Sequence, residues 1–148
     1  MTKKLSRLPQ ILASIASIIL IVSFIAEVGW NKSPCLLCQL QRGVYSAFIA
    51  SIFLAQREKR WLNVAKALLI AGAGLAIYHT LLQLGFLPSI CLRLQKAVAS
   101  RDDLTHLLTS PSCTTKSWTL FGVPAAAYNG VIFVSFFVQL LSFKKSSV

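Results

Sequence analysis

Charged residues cluster along this chain, and the stretches between the clusters are long and apolar. Leu8 to Ala26 carries no charge and is built mainly of Ile, Leu, Ala, Ser and Val. From Leu36 to Gln56 the run is apolar again, with Arg42 the one charge inside it. Ala67 to Ile90 is uncharged and contains His79, and Ser117 to Phe143 is uncharged and becomes continuously apolar after Pro124. A helix of about 20 residues crosses the roughly 30 Å hydrocarbon core of a bilayer. The pattern therefore predicts an all-α membrane protein, a bundle of four transmembrane helices over about 8–27, 36–56, 66–87 and 123–143. Two loops on one side, at about 28–35 and 88–122, join them, and residues 1–148 read as a single integral-membrane domain. The first run has the basic start of a secretory signal, but it exceeds the usual apolar length. Glu27 and Val28 follow Ala26 where a small-x-small cleavage site would stand, so a retained helix is expected.

Composition sharpens this picture. Hydrophobic residues make up 55% of the chain and charged ones 13%, about half the share of an ordinary soluble domain, which argues against a soluble enzyme. The net charge of +11 could point to nucleic acid, but the positions of the charges decide otherwise. Lys3, Lys4 and Arg7 precede the first span; Arg57, Lys59, Arg60 and Lys66 separate the second from the third; Lys144 and Lys145 follow the fourth. Short segments rich in Lys and Arg stay cytoplasmic. Both termini are then cytoplasmic, the two longer loops are periplasmic, and no nucleic-acid partner is needed to explain the charge. Trp30, Trp61 and Trp118 fall at span boundaries, where an indole sits well between headgroup and hydrocarbon. Gly72 and Gly74 are expected to let a neighbouring helix approach the third span closely.

All four cysteines fall on the outer side. Cys35 and Cys38 lie in a Pro-Cys-Leu-Leu-Cys run where the second span begins, while Cys91 and Cys113 lie in the second loop. The exterior of a bacterial inner membrane permits disulfides. Four cysteines allow three pairings, of which Cys35–Cys38 with Cys91–Cys113 is the natural one. A purely structural role suits the long Cys91–Cys113 loop better than Cys35–Cys38, because the entropic gain of a bridge grows with the loop it closes. CxxC at a helix start favours redox exchange, since the helix dipole lowers a thiol's pKa there. A zinc site would bring a second close pair, and none is present, so no metal is expected. No βαβ pattern surrounds the motif, so a soluble thioredoxin-like domain is excluded and a lipid-soluble electron partner is indicated.

Arg42 lies one turn beyond Cys38 on the same helical face. An intramembrane charge is a functional candidate, although an arginine near a helix end can also snorkel to the headgroups. Beside a cysteine pair, its guanidinium would stabilise a Cys38 thiolate and the charge on a reducing quinone oxygen. His79 and Gln83, one turn apart in the third span, could hydrogen-bond a quinone carbonyl or simply join helices. Tyr45, Tyr78 and Tyr128 read as packing or interfacial residues. In the second loop, Ser100 and Asp103 resemble a capping box opening a short amphipathic helix with Leu104, Leu107 and Leu108 on one face. His106 reads as a solvated loop residue.

Four spans, PCxxC followed by Arg at the fourth position after its second Cys, and a later loop cysteine pair together resemble the DsbB family of disulfide-bond formation proteins. The matching residues are Pro34, Cys35, Cys38, Gln41 and Arg42, Tyr78-His79 with Gln83, Cys91 and Cys113, then Trp118, Gly122 and Pro124. The likeness covers roughly residues 8 to 143. It implies a quinone-dependent protein-dithiol oxidase that reoxidises a periplasmic DsbA-like thioredoxin-fold protein. Ubiquinone or menaquinone would be the acceptor, held by Arg42, His79 and Gln83, and the enzyme would act as a monomer in the inner membrane. By the same resemblance, a partner thiolate attacks Cys91, Cys35 captures Cys113, and Cys38 is released as a thiolate beside Arg42 to engage the quinone. The second loop is short for the proteobacterial members of the family, and Gly43 after Arg42 is a flexible residue at a sensitive position.

Two other readings compete. Proteins similar to vitamin K epoxide reductase also join loop cysteines to CxxC and a quinone, but there the loop pair precedes CxxC. A non-enzymatic membrane subunit with two structural disulfides would leave Arg42 beside Cys38 unexplained.

Overall fold

A computed structural model describes residues 7–30, 34–87 and 119–145. It is mostly helical. Helix α1 runs Arg7–Trp30, α2 Leu36–Leu54, α3 Arg60–Gln83 and α4 Ala125–Lys145. Among the described residues, three helical segments are long and apolar enough to cross a membrane: Arg7–Gly29, Arg60–Gln83 and Ala125–Ser142. Helix α2 is not a clear span, because Gln39, Gln41 and Arg42 fall within its first two turns. Its 19 residues nonetheless reach about 28 Å, close to the hydrocarbon thickness.

The bundle's order follows from its contacts. Helix α3 packs against both α2 and α4, α1 packs against α2, and α1 meets α4 along only a thin seam. The core between them holds Leu12, Ala16, Tyr45, Phe48, Leu69 and Phe133. Tyr45 stacks on Phe133 with ring centroids 4.5 Å apart, tying α2 to α4. The outward faces carry Ile18, Ile21, Phe53, Ile70, Ile77 and Val131, all exposed. Such a surface suits lipid rather than water. The hydroxyls of Ser14, Ser17, Ser51, Thr80 and Ser135 each bond the carbonyl one turn back, so these five are satisfied within their own helices.

Several boundaries and details differ from the sequence reading. Helix α3 begins at Arg60 rather than 66 and ends at Gln83 rather than 87. Charged Arg60 and Lys66 are compatible with its first two turns because a helix extends beyond its apolar part; Arg60 pairs there with Glu58 and lies over the Trp61 ring. Gly72 behaves as expected, since a Cβ there would stand 2.9 Å from the Phe133 ring of α4. Gly74 does not, for it has nothing within 4 Å of that position.

Among the described residues, one short hairpin accompanies the helices. Before α4, strand β1 (Thr119–Leu120) pairs antiparallel with β2 (Val123–Pro124). Phe121 and Gly122 form the two-residue turn, both at positive φ (52° and 78°), the backbone that a tight hairpin requires. Gly122 adopts it freely, whereas Phe121 does so with its ring 94% exposed. Cys91, Cys113, the helix expected near 100–108, and Trp118 lie outside the described residues.

Candidate functional site

Pro34 and Cys35 lead the chain into α2 in an extended conformation. Cys35 is the N-cap, with φ −69° and ψ 163°, and its Sγ accepts the Cys38 N–H at 3.4 Å. The first turn of α2 contains no acidic residue, so its free N–H groups and dipole act on the Cys35 sulfur without competition from a carboxylate. The two cysteines are free thiols, their sulfurs 2.9 Å apart. His79 reaches in from α3, placing Nε2 3.6 Å from Cys35 Sγ. The Cys38 S–H bonded to the Cys35 sulfur, together with His79 and the Cys38 N–H, outweighs burial and holds the Cys35 thiol well below its ordinary pKa.

Behind this pair is a polar layer buried in the bundle. Gln41 of α2 meets His79 Nδ1 through its Nε2 at 3.3 Å, and its Oε1 accepts from Asn129 Nδ2 of α4 at 2.7 Å. Gln41 and His79 are 2% and 1% exposed, so their polar atoms depend on partners such as these.

Arg42 points the other way, towards α1. Its Nε donates to Ser23 Oγ at 2.9 Å, a terminal nitrogen donates to the Ser23 carbonyl at 3.0 Å, and the other pairs with the Glu27 carboxylate. The Phe24 ring lies 4.7 Å from the guanidinium carbon. The guanidinium is therefore bound to α1 and not hydrogen-bonded to Cys38. Its donors bind α1, because Ser23 and Glu27 present oxygens one turn apart along that helix.

These groups line one cavity of about 390 Å³. Cys35, Cys38, Arg42, His79 and Gln83 form its polar wall, and α1 contributes apolar Ile18, Ile19 and Val22. The cavity lies where α1 separates from α4. The sulfurs of Cys35 and Cys38 and a His79 nitrogen are within 4.8 Å of one another, a spacing that a soft metal ion could also bridge.

The sequence profile described as "Disulfide bond formation protein DsbB" matches residues 6–143, nearly the whole chain. The chain belongs to the DsbB family. It is also 33% identical over 126 residues to a "Probable disulfide formation protein" of Metapseudomonas resinovorans, covering 80% of this chain and 76% of that one. A membrane protein of a disulfide-forming family is thus established.

Within this DsbB-family chain, the structure brings together Cys35, Cys38, Arg42, His79 and Gln83 around one cavity. It does not describe Cys91 or Cys113. Sequence reasoning used Glu27 only to argue against a cleavage site and missed it as the Arg42 partner. It also took Tyr45 for packing and passed over Ser23 and Asn129. For Glu27 a signal existed, since an acid at the end of one span can meet a base at the start of the next. For Asn129, 88 positions from Gln41, no local spacing could have shown it.

Proposed function

We propose that this chain is a quinone-dependent protein-dithiol oxidase that reoxidises a periplasmic DsbA-like thioredoxin-fold protein. In this reading α2 is a fourth span, both termini are cytoplasmic, the cysteines face the periplasm of a bacterial inner membrane, and one chain suffices. What supports it most is a single arrangement: the cysteine pair shares a cavity with Arg42 and His79, and Ile18, Ile19, Leu20, Val22 and Ala26 of α1 give that cavity an apolar part beside them. A quinone has polar carbonyls on an apolar ring and tail, and the wall offers matching groups at each end. Arg42 and Gln83 would hold the carbonyls, with the His79 ring beside them on the wall. When bound, a ubiquinone or menaquinone supplies the two-electron, two-proton acceptor that lets the Cys35–Cys38 disulfide re-form.

The chain's own residues do the rest. The partner's dithiol loses two electrons and two protons and becomes a disulfide. The Cys35–Cys38 disulfide takes them up and becomes the dithiol described above, with Cys91 and Cys113 carrying the exchange between partner and α2. Each transfer breaks one S–S bond as it forms another, so no free radical or third oxidant is involved. The α2 N-terminus and His79 stabilise negative charge on Cys35. Arg42, fixed by Ser23 and Glu27, supplies an oriented positive charge on the cavity wall.

Purified chain in detergent, given a reduced thioredoxin-fold partner and added quinone, should oxidise the partner only when quinone is present. Cys38→Ser should abolish this. Partner oxidation indifferent to quinone would overturn the proposed acceptor.

A further inference from the structure

The Cys35 sulfur ends a line of hydrogen bonds that crosses three helices. The Tyr45 hydroxyl faces Asn129 Oδ1 at 3.5 Å, Asn129 Nδ2 donates to Gln41 Oε1 at 2.7 Å, and Gln41 Nε2 meets His79 Nδ1 at 3.3 Å. His79 Nε2 then faces Cys35 Sγ at 3.6 Å. Each amide has an accepting and a donating end, so the line has a direction. If the Gln41 oxygen is taken by Asn129, its NH₂ faces His79, and an NH₂ group can only donate. Nδ1 is then the bare ring nitrogen, and the proton of the neutral imidazole sits on Nε2, facing the sulfur.

Turning both amides round would give the opposite tautomer, with a lone pair on Nε2 facing Cys35. In that arrangement the Tyr45 hydroxyl would face an NH₂ group. Its own proton, on a side chain 2% exposed, would lose the Asn129 oxygen that now accepts it. Leaving a buried donor unpaired costs about 1–3 kcal/mol. Tyr45 therefore selects the direction.

We propose that Asn129 and Gln41, oriented by Tyr45, are positioning residues that hold His79 as its Nε2–H tautomer, so that His79 donates to the Cys35 sulfur. The inference rests on the oxidase reading only for its purpose. A sulfur displaced from a disulfide departs with the electron pair of the broken bond, and it departs faster the better its thiolate is stabilised. Whenever an attacking thiolate displaces Cys35 from a bridge, the new S–S bond forms on the other sulfur and the negative charge falls on Cys35 Sγ. The Nε2–H meets that charge without giving up its proton, and no net oxidation occurs in the step. The other groups about Cys35 are the Cys38 thiol and N–H; Arg42 is turned to Glu27.

The chain contains only two histidines, which makes the tautomer directly readable. Reduced chain labelled with ¹⁵N-histidine in detergent micelles, with His106→Ala to assign the signals, should show the Nδ1 of His79 as unprotonated and its Nε2 as protonated. Asn129→Asp accepts where Asn129 donated, turns Gln41 round, and should move the proton to Nδ1. Tyr45→Phe, which adds no charge, should give mixed tautomers and slow Cys35 alkylation in a Cys38→Ser background by several-fold, roughly in proportion to the thiolate lost. A wild-type proton on Nδ1 overturns the proposal, even if every variant fails to fold. So does an Asn129→Asp protein whose two nitrogens are unchanged. Neither measurement uses quinone or a protein partner, so failure here leaves the oxidase reading standing, and failure of the oxidation assay leaves the tautomer result standing.

Discussion

Arg42 and Glu27 have side chains 16% and 31% exposed, and each is the other's countercharge. Removing one member of such a pair strands the other, and with this partial exposure Arg42→Ala should cost about 2 kcal/mol of stability. Arg42→Met combined with Glu27→Gln should cost less than Arg42→Ala alone, because no charge is left unpaired; thermal unfolding in detergent would show a non-additive cycle. In the oxidase assay, Arg42→Ala should also raise the apparent KM for quinone, and an unchanged KM would confine Arg42 to holding α1. Cys35 makes a second prediction, about pH. Its folded thiol pKa lies below the ordinary 9.0, so between the two values the unfolded chain binds more protons. The resulting stabilisation of the reduced form is complete above the ordinary value and is lost as pH falls through the lowered one. Melting temperatures of the reduced protein should therefore fall on acidification from pH 9 more than those of Cys35→Ser, and parallel curves would refute this.

Helix packing turns on a few contacts that differ in how visible they are from sequence. Gly72 and Gly74 look equivalent in the chain, yet only Gly72 meets the Phe133 ring. Gly72→Ala should destabilise the bundle by about 1–3 kcal/mol through overpacking, while Gly74→Ala should be neutral or slightly stabilising through helix propensity. Equal effects in a denaturation series would mean that the α3–α4 approach is not what Gly72 secures. The apolar runs were legible because lipid demands them, and CxxC with Arg42 was legible because one helical turn sets Cys38 and Arg42 against the same cavity, although the guanidinium turns to α1. The partners of Arg42 and Gln41 were not, because the face that α1 or α4 turns towards α2 depends on how whole helices rotate against one another. The hairpin before α4 was hidden for another reason. Its turn is Phe-Gly, and the usual signature of that backbone is Asn-Gly or Asp-Gly.

At the scale of the whole molecule, the thin seam between α1 and α4 is the side on which the cavity forms, and α1 supplies its apolar wall. Ala126 lines the cavity from α4 and is buried, so Ala126→Phe should fill part of the space. The expected result is a higher KM for quinone with kcat at saturation little changed; a fall in kcat alone would place the acceptor elsewhere. The Arg42–Glu27 pair has a further consequence, for the making of the protein. An unpaired arginine inside an apolar helix opposes insertion, less near the end than at the centre, and among the described residues α2 is the long helix that does not qualify clearly as a span. Glu27 and Ser23, on the helix that precedes it, give that charge a countercharge and take three of its five N–H donors. On the reading in which α2 is a fourth span, α1 would bring into the membrane the carboxylate that the second helix needs for its arginine.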